Sequence, residues 1–163
     1  MTALSYYPQW LGPRLLEDSF TWGEALTTSL PAFGEQYTFH DSVWIGLHLH
    51  LDLTGGATAI IRLDSFWTEG KVPHPGSLVA EWPILLVRFS DVGAVRLSGF
   101  VGSDWSSRTI DASETTDSTA GRHRTSFDDI YSGRVEIDHA PPVQILCFDR
   151  SGEALKLPFR DAV

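Results

Sequence analysis

The stretch Val43-Trp44-Ile45-Gly46-Leu47-His48-Leu49-His50-Leu51-Asp52-Leu53 is followed by Thr54-Gly55-Gly56 and then by Ala57-Thr58-Ala59-Ile60-Ile61-Arg62-Leu63. In its first part Ile45, Leu47, Leu49, Leu51 and Leu53 alternate with Trp44, Gly46, His48, His50 and Asp52. A period of two places the leucines on one face of a half-buried strand and the histidines and Asp52 on its solvent side. Thr54-Gly55-Gly56 supplies the residues of a tight turn, and the following apolar run returns as the partner strand. A β-hairpin is therefore expected at the centre of the fold.

Outward from this hairpin the same grammar continues. Ile84-Leu85-Leu86-Val87-Arg88-Phe89 follows Trp82-Pro83 as a buried strand, Asp91-Val92-Gly93 is expected to turn the chain, and residues 94–100 start another strand. Residues 68–77 hold Gly70, Pro73, Pro75 and Gly76 and read as a loop. Arg134-Val135-Glu136-Ile137-Asp138 alternates, Pro141-Pro142 is expected to break it, and residues 143–148 are expected to pair with residues 154–159 as a second hairpin. Toward the N-terminus, residues 13–18 have helix-like content. Thr21 with Glu24 three positions on suggests a short helix over residues 21–30, ended by Pro31. The sum is a mainly β fold: an antiparallel sheet curved into a sandwich or partial barrel, with a short N-terminal helix.

At 163 residues the chain has the length of one β-rich domain, spanning 1–163. Twelve Lys and Arg against 21 Asp and Glu give a formal charge of −9, which repels nucleic-acid phosphates and anionic membrane surfaces. The densest basic cluster, Arg122-His123-Arg124, is too short to track a nucleic acid. The N-terminus has no signal-like pattern and no window reaches transmembrane length, so a cytoplasmic protein is expected. The single cysteine, Cys147, lies in an apolar run and reads as a buried side chain.

Chemistry-bearing motifs are few. His48, His50 and Asp52 share one strand face and form the outside candidate for a metal site. They resemble the His-x-His-x-Asp signature of metallo-β-lactamase-type hydrolases, but Leu53 stands where that motif continues with His, and Thr54 stands where a cupin would carry Glu. His40-Asp41-Ser42 are adjacent residues that point in different directions and do not form a triad. No cofactor and no catalytic residue is assigned, and a non-catalytic protein is favoured over an enzyme. Apolar residues nearly vanish over residues 103–126, which read as a mobile acidic loop. In and beside it lie Asp104, Trp105, Asp111, Glu114, Asp117, Asp128 and Asp129, with Phe127 as a further aromatic anchor, a composition suited to capturing a basic protein surface.

Phe39-His40-Asp41-Ser42 leading into an alternating strand, then residues 84–89, Ser90-Asp91-Val92 and Val95-Arg96-Leu97-Ser98-Gly99-Phe100, resembles small bacterial immunity proteins of polymorphic toxin systems, in the pattern of the immunity protein 50 family. The resemblance covers residues 35–102 and, loosely, the final hairpin. The chain departs from the family pattern at Val101-Gly102-Ser103-Asp104 and in the acidic stretch that follows. The resemblance implies a protein without catalysis that binds and neutralises one cognate toxin, and the acidic balance suits a basic partner such as a toxin nuclease. The alternatives are a β-barrel carrier of a small apolar ligand and, third, a metal-dependent hydrolase using His48, His50 and Asp52.

Overall fold

The computed structural model describes residues 8–54, 56–64, 82–99 and 108–160, with the backbone alone at Ile45 and Arg108. The expected central hairpin is present as β2 (Val43–Asp52) and β3 (Gly56–Asp64). Its register carries an irregularity between Trp44 and Gly46: Trp44 pairs with Leu63 and Gly46 with Arg62, leaving Ile45 as an extra residue. A single-residue bulge exchanges the two faces of a strand. This is why Trp44 and Leu47, three positions apart, pack against the same core.

Beyond the bulge the expected burial of the leucines holds at Leu47 and fails toward the tip, where Leu51 is 75% and Leu53 103% exposed. The tip runs past the packed interior, so alternation continues there without a core to face. His48 and His50, expected on the solvent side, are partly buried.

The chain continues in β4 (Ile84–Ser98), β5 (Arg108–Asp117), β6 (His123–Asp129) and β7 (Arg134–Phe148), and begins with α1 (Leu11–Glu17), a 3-10 turn at Trp22–Glu24, β1 (Leu26–Thr28) and α2 (Leu30–Gln36). Among the described residues seven strands form one antiparallel sheet in the order β1-β7-β4-β3-β2-β5-β6, and β6 pairs back onto β7 to close a ring. A mainly β fold with a sheet curved into a partial barrel is thus what forms.

Four sequence expectations are corrected. The Asp91-Val92-Gly93 turn is a bulge inside the continuous strand β4. Between Ser90 and Ala94 β4 gains residues relative to β7, whereas between Arg88 and Ser90 β7 gains them, so the registers before and after agree. Asp91 takes the left-handed conformation at φ +48°, and Arg122 reaches across to bond Asp91 Oδ2 at 2.8 Å and Asp138 Oδ1 at 2.6 Å. A Cβ on Gly93 would lie 3.1 Å from the Arg122 guanidinium, so glycine admits this clamp.

Pro141-Pro142 does not break β7. One edge of β7 pairs with β4, and along the other the pairing with β6 ends at His139 while that with β1 begins at Val143. The prolines fill the gap between these partners, where no ladder N–H is needed.

Residues 154–159 do not form a strand. Beyond the Phe148 to Ala154 bridge they run along the core, with Leu155, Leu157 and Phe159 packed on it. The side chain of Gln36 in α2 bonds both backbone groups of Arg160, and the Tyr37 hydroxyl donates to the Pro158 carbonyl. Pro158 lacks the N–H a ladder would use, and α2 captures the tail instead.

Pro31 starts a helix rather than ending one. Ser29 caps α2 by accepting from Ala32 N at 3.2 Å, and Pro31 occupies the first turn, where its missing N–H costs nothing. Of residues 21–30, only the short 3-10 turn is helical before α2 begins at Leu30.

Two apolar layers result. The larger core joins Ala59, Ile61 and Leu63 to Phe89, Ile137 and Ile145, and Phe33, Tyr37 and Phe39 from α2 and its C-terminal extension cover it. The second, on the opposite sheet face, packs Leu11, Leu15, Phe20 and Trp22 onto Ile60, Ile84, Leu86 and Phe148. Burial on both faces explains why β3 and the start of β4 read as continuous apolar runs.

Candidate partner-binding cleft and strand edge

The stretch expected as a loop over 103–126 is a β-hairpin wherever it is described: β5 and β6 pair from Ile110 with Asp129 through Asp117 with His123. Thr109, Thr115 and Thr116 favour extended backbone, but residues 111–117 bury little on either face. A strand so exposed lacks the apolar alternation by which sequence reveals strands, hence the loop reading.

On its second edge β5 meets β2 only at Val43 with Thr109 and Trp44 with Arg108. The lead-in to β2 then adds two backbone bonds, Asp41 N to Ile110 O at 3.0 Å and Ile110 N to Ser42 O at 2.8 Å. From Asp111 to Asp117 that edge has no ladder partner among the described residues. It borders an open cleft of about 390 Å³ whose other wall is Leu30, Pro31, Gly34, Tyr37, Thr38 and Phe39, with Ser113, Glu114 and Thr115 on the β5 side and Thr125 and Phe127 from β6. Phe127, expected as an anchor, is buried edge-on against Phe39 at 5.4 Å between ring centroids.

The proposed binding residues separate into three groups. Asp111, Glu114 and Asp117 are exposed on β5: Glu114 and Asp117 lie on opposite faces, and Asp111 is the extra residue of the bulge between Ile110 and Ala112. Asp111 lies 3.8 Å from His40 Nε2, and Asp117 lies 3.5 Å from His123 Nε2. Asp128 and Asp129 serve the structure: Asp128 forms a two-oxygen pair with Arg134 at 2.9 and 3.0 Å, and buried Asp129 accepts from Tyr131 N and Gly133 N at 2.8 and 2.7 Å. Asp104 and Trp105 lie outside the described residues.

The arginines of the basic cluster are consumed in ion pairs, Arg122 with Asp91 and Asp138 and Arg124 with Glu136, while His123 lies beside the exposed Asp117. The Arg122 hydrogen bond holds the Asp138 carboxyl below its usual range. At the metal candidate, Asp52 accepts from Thr54 N and Oγ1 at 2.9 and 2.7 Å, which makes it part of the hairpin turn. Among the described residues no group of three or more His, Cys, Asp or Glu is placed to hold a metal ion. Burial pushes the Cys147 thiol up to about 12, far from the thiolate that chemistry would need.

Two buried polar assemblies escaped sequence reasoning. Beneath the cleft, His139 Nδ1 faces the Ala140 carbonyl at 3.1 Å, so that nitrogen carries the proton and Nε2 accepts from the Thr125 hydroxyl at 2.8 Å. Thr125 in turn accepts from Thr115 at 3.0 Å. Burial lowers the His139 pKa, in keeping with a neutral ring. The signal was its position, one step further in the alternation of Val135 and Ile137. The second assembly joins β3 to the turn after β7: Arg62 reaches Asp64 at 3.1 Å and Arg150 reaches the same carboxylate at 2.7 Å.

Compared with protein families, curated proteins and solved structures, the chain matches none. Among the described residues no helix is long and apolar enough to cross a membrane.

Proposed function

We propose that this chain is a non-catalytic, immunity-type protein of the cytoplasm that binds and neutralises a basic toxin through the β5 edge and the cleft beside it. The observation that supports the reading most is the exposure of Asp111, Glu114 and Asp117 on a stretch of strand whose second edge has no ladder partner among the described residues, while Asp64, Asp128, Asp129 and Asp138 are held by partners within the fold. Carboxylates committed internally cannot steer a partner, and those on β5 can. The resemblance of residues 35–102 to immunity proteins agrees, and so does the net charge of −9.

The test is capture with the tagged chain from lysate of its own organism, followed by expression of the captured protein alone and together with the chain. The expected result is one basic protein, released by salt, whose expression arrests growth and whose effect co-expression removes. A captured protein that is harmless alone, or a metal retained in its place, overturns the reading.

A small-ligand carrier is the second reading, favoured by a cleft volume within the roughly 300–1,000 Å³ of ligand pockets. That cleft is open and lined by hydroxyls and a carboxylate as well as rings, and the apolar interior is filled by packed side chains.

A further inference from the structure

We infer that the cleft receives an extended, basic segment of the partner as an additional strand along the open edge of β5. The inference rests on the binding function proposed above and specifies its mode. A strand edge without a ladder partner presents backbone N–H and C=O groups ready to pair, and proteins guard such edges against indiscriminate pairing with charged side chains, prolines or bulges. Over residues 111–117 β5 has no lysine and no proline, and its register with β6 is regular from Ala112 onward. What it carries is Asp111, Glu114 and Asp117.

These carboxylates select the occupant. A second copy of β5 would bring like charges together, which is unfavourable between neighbouring strands, whereas lysine or arginine on an incoming strand would meet opposite charge. The cleft supplies the rest of a strand-addition site. Ser113, Glu114 and Thr115 line it beside this edge together with Thr125 and Phe127 of β6, and α2 stands opposite, so a segment that pairs with β5 there would have Pro31, Gly34 and Tyr37 across the cleft. Main-chain bonding then gives affinity and alternate side chains give specificity.

The experiment uses the full chain, labelled with 15N, and blocked octapeptides alternating lysine with valine or threonine. Two control sets are the same peptides N-methylated at every second residue, in both frames, and peptides with aspartate for lysine. The expected result is amide shifts confined to residues 111–117 and 30–39, binding weakened at least tenfold by N-methylation in one frame, similar weakening in Glu114→Lys, and no binding of the aspartate set. Equal binding of methylated and unmethylated peptides, shifts centred elsewhere, or no binding of any lysine peptide at millimolar concentration overturns strand addition. If that happens while charge reversal on β5 still abolishes capture of the basic partner, the proposed function stands without this mode; if capture survives reversal, both fall.

Discussion

Arg62 and Asp64 on β3 and the carboxylates on β5 are charged residues in strands of one sheet, yet their surroundings differ completely. Arg62 and Asp64 are 0% exposed, and Arg150 closes the group from the turn after β7. Asp111, Glu114 and Asp117 face water on a stretch of strand whose second edge has no ladder partner among the described residues. The comparison teaches where a charge is fixed by folding and where it is left facing water. Removing a partner from a buried pair leaves a stranded ion, whereas changing an exposed carboxylate barely alters the folded state.

The largest expected effect breaks the buried side. Asp64→Ala removes the buried carboxylate that Arg62 and Arg150 share and is expected to cost about 3–5 kcal/mol in urea unfolding. A loss no larger than that of a surface substitution would erase the distinction between the regions.

A smaller effect sharpens it through pH. Burial lowers the pKa of His139, and burial together with the charges of His50 and Arg62 lowers that of His48. As pH falls below about 6.5 the unfolded chain takes up protons that these native imidazoles refuse, so their contribution is full above that value and is lost below it. The melting temperature is expected to fall between pH 7.5 and pH 5.5. The slope is expected to flatten in a His48→Gln, His139→Gln double variant, and an unchanged slope would show that other groups carry it.

The smallest effect belongs to β5: reversing Asp111, Glu114 and Asp117 to lysine is expected to change stability by no more than about 0.5 kcal/mol per site. A large loss would mean that these residues hold the fold together.

The same contrast explains what was legible in the sequence. The β2 and β3 hairpin declares itself through Leu47 and the apolar run from Ala59 to Leu63, which meet a core, and β7 does so through Val135 and Ile137. β5 does not, since residues 111–117 have no apolar face to alternate. Pro31 was ambiguous because proline both ends helices and opens them, and the cap on Ser29 decides between the two. Of the candidate site, the exposed carboxylates were visible as composition. The cleft was not, because it exists only once α2 and β5, distant in sequence, stand side by side. Asp129, read as surface from its neighbour Asp128, is turned inward to bond two backbone N–H groups.

The central claim is that the exposed carboxylates of β5 are the partner-binding surface. Its most direct measurement is titration calorimetry of the captured partner against the chain and against its Asp111→Lys, Glu114→Lys, Asp117→Lys variant, with melting curves confirming that both are folded. The account predicts that affinity falls roughly a hundredfold or more, because like-charge juxtaposition costs several kcal/mol, while the melting temperature is nearly unchanged. Equal affinity in the folded variant would contradict it and place the binding surface elsewhere on the barrel.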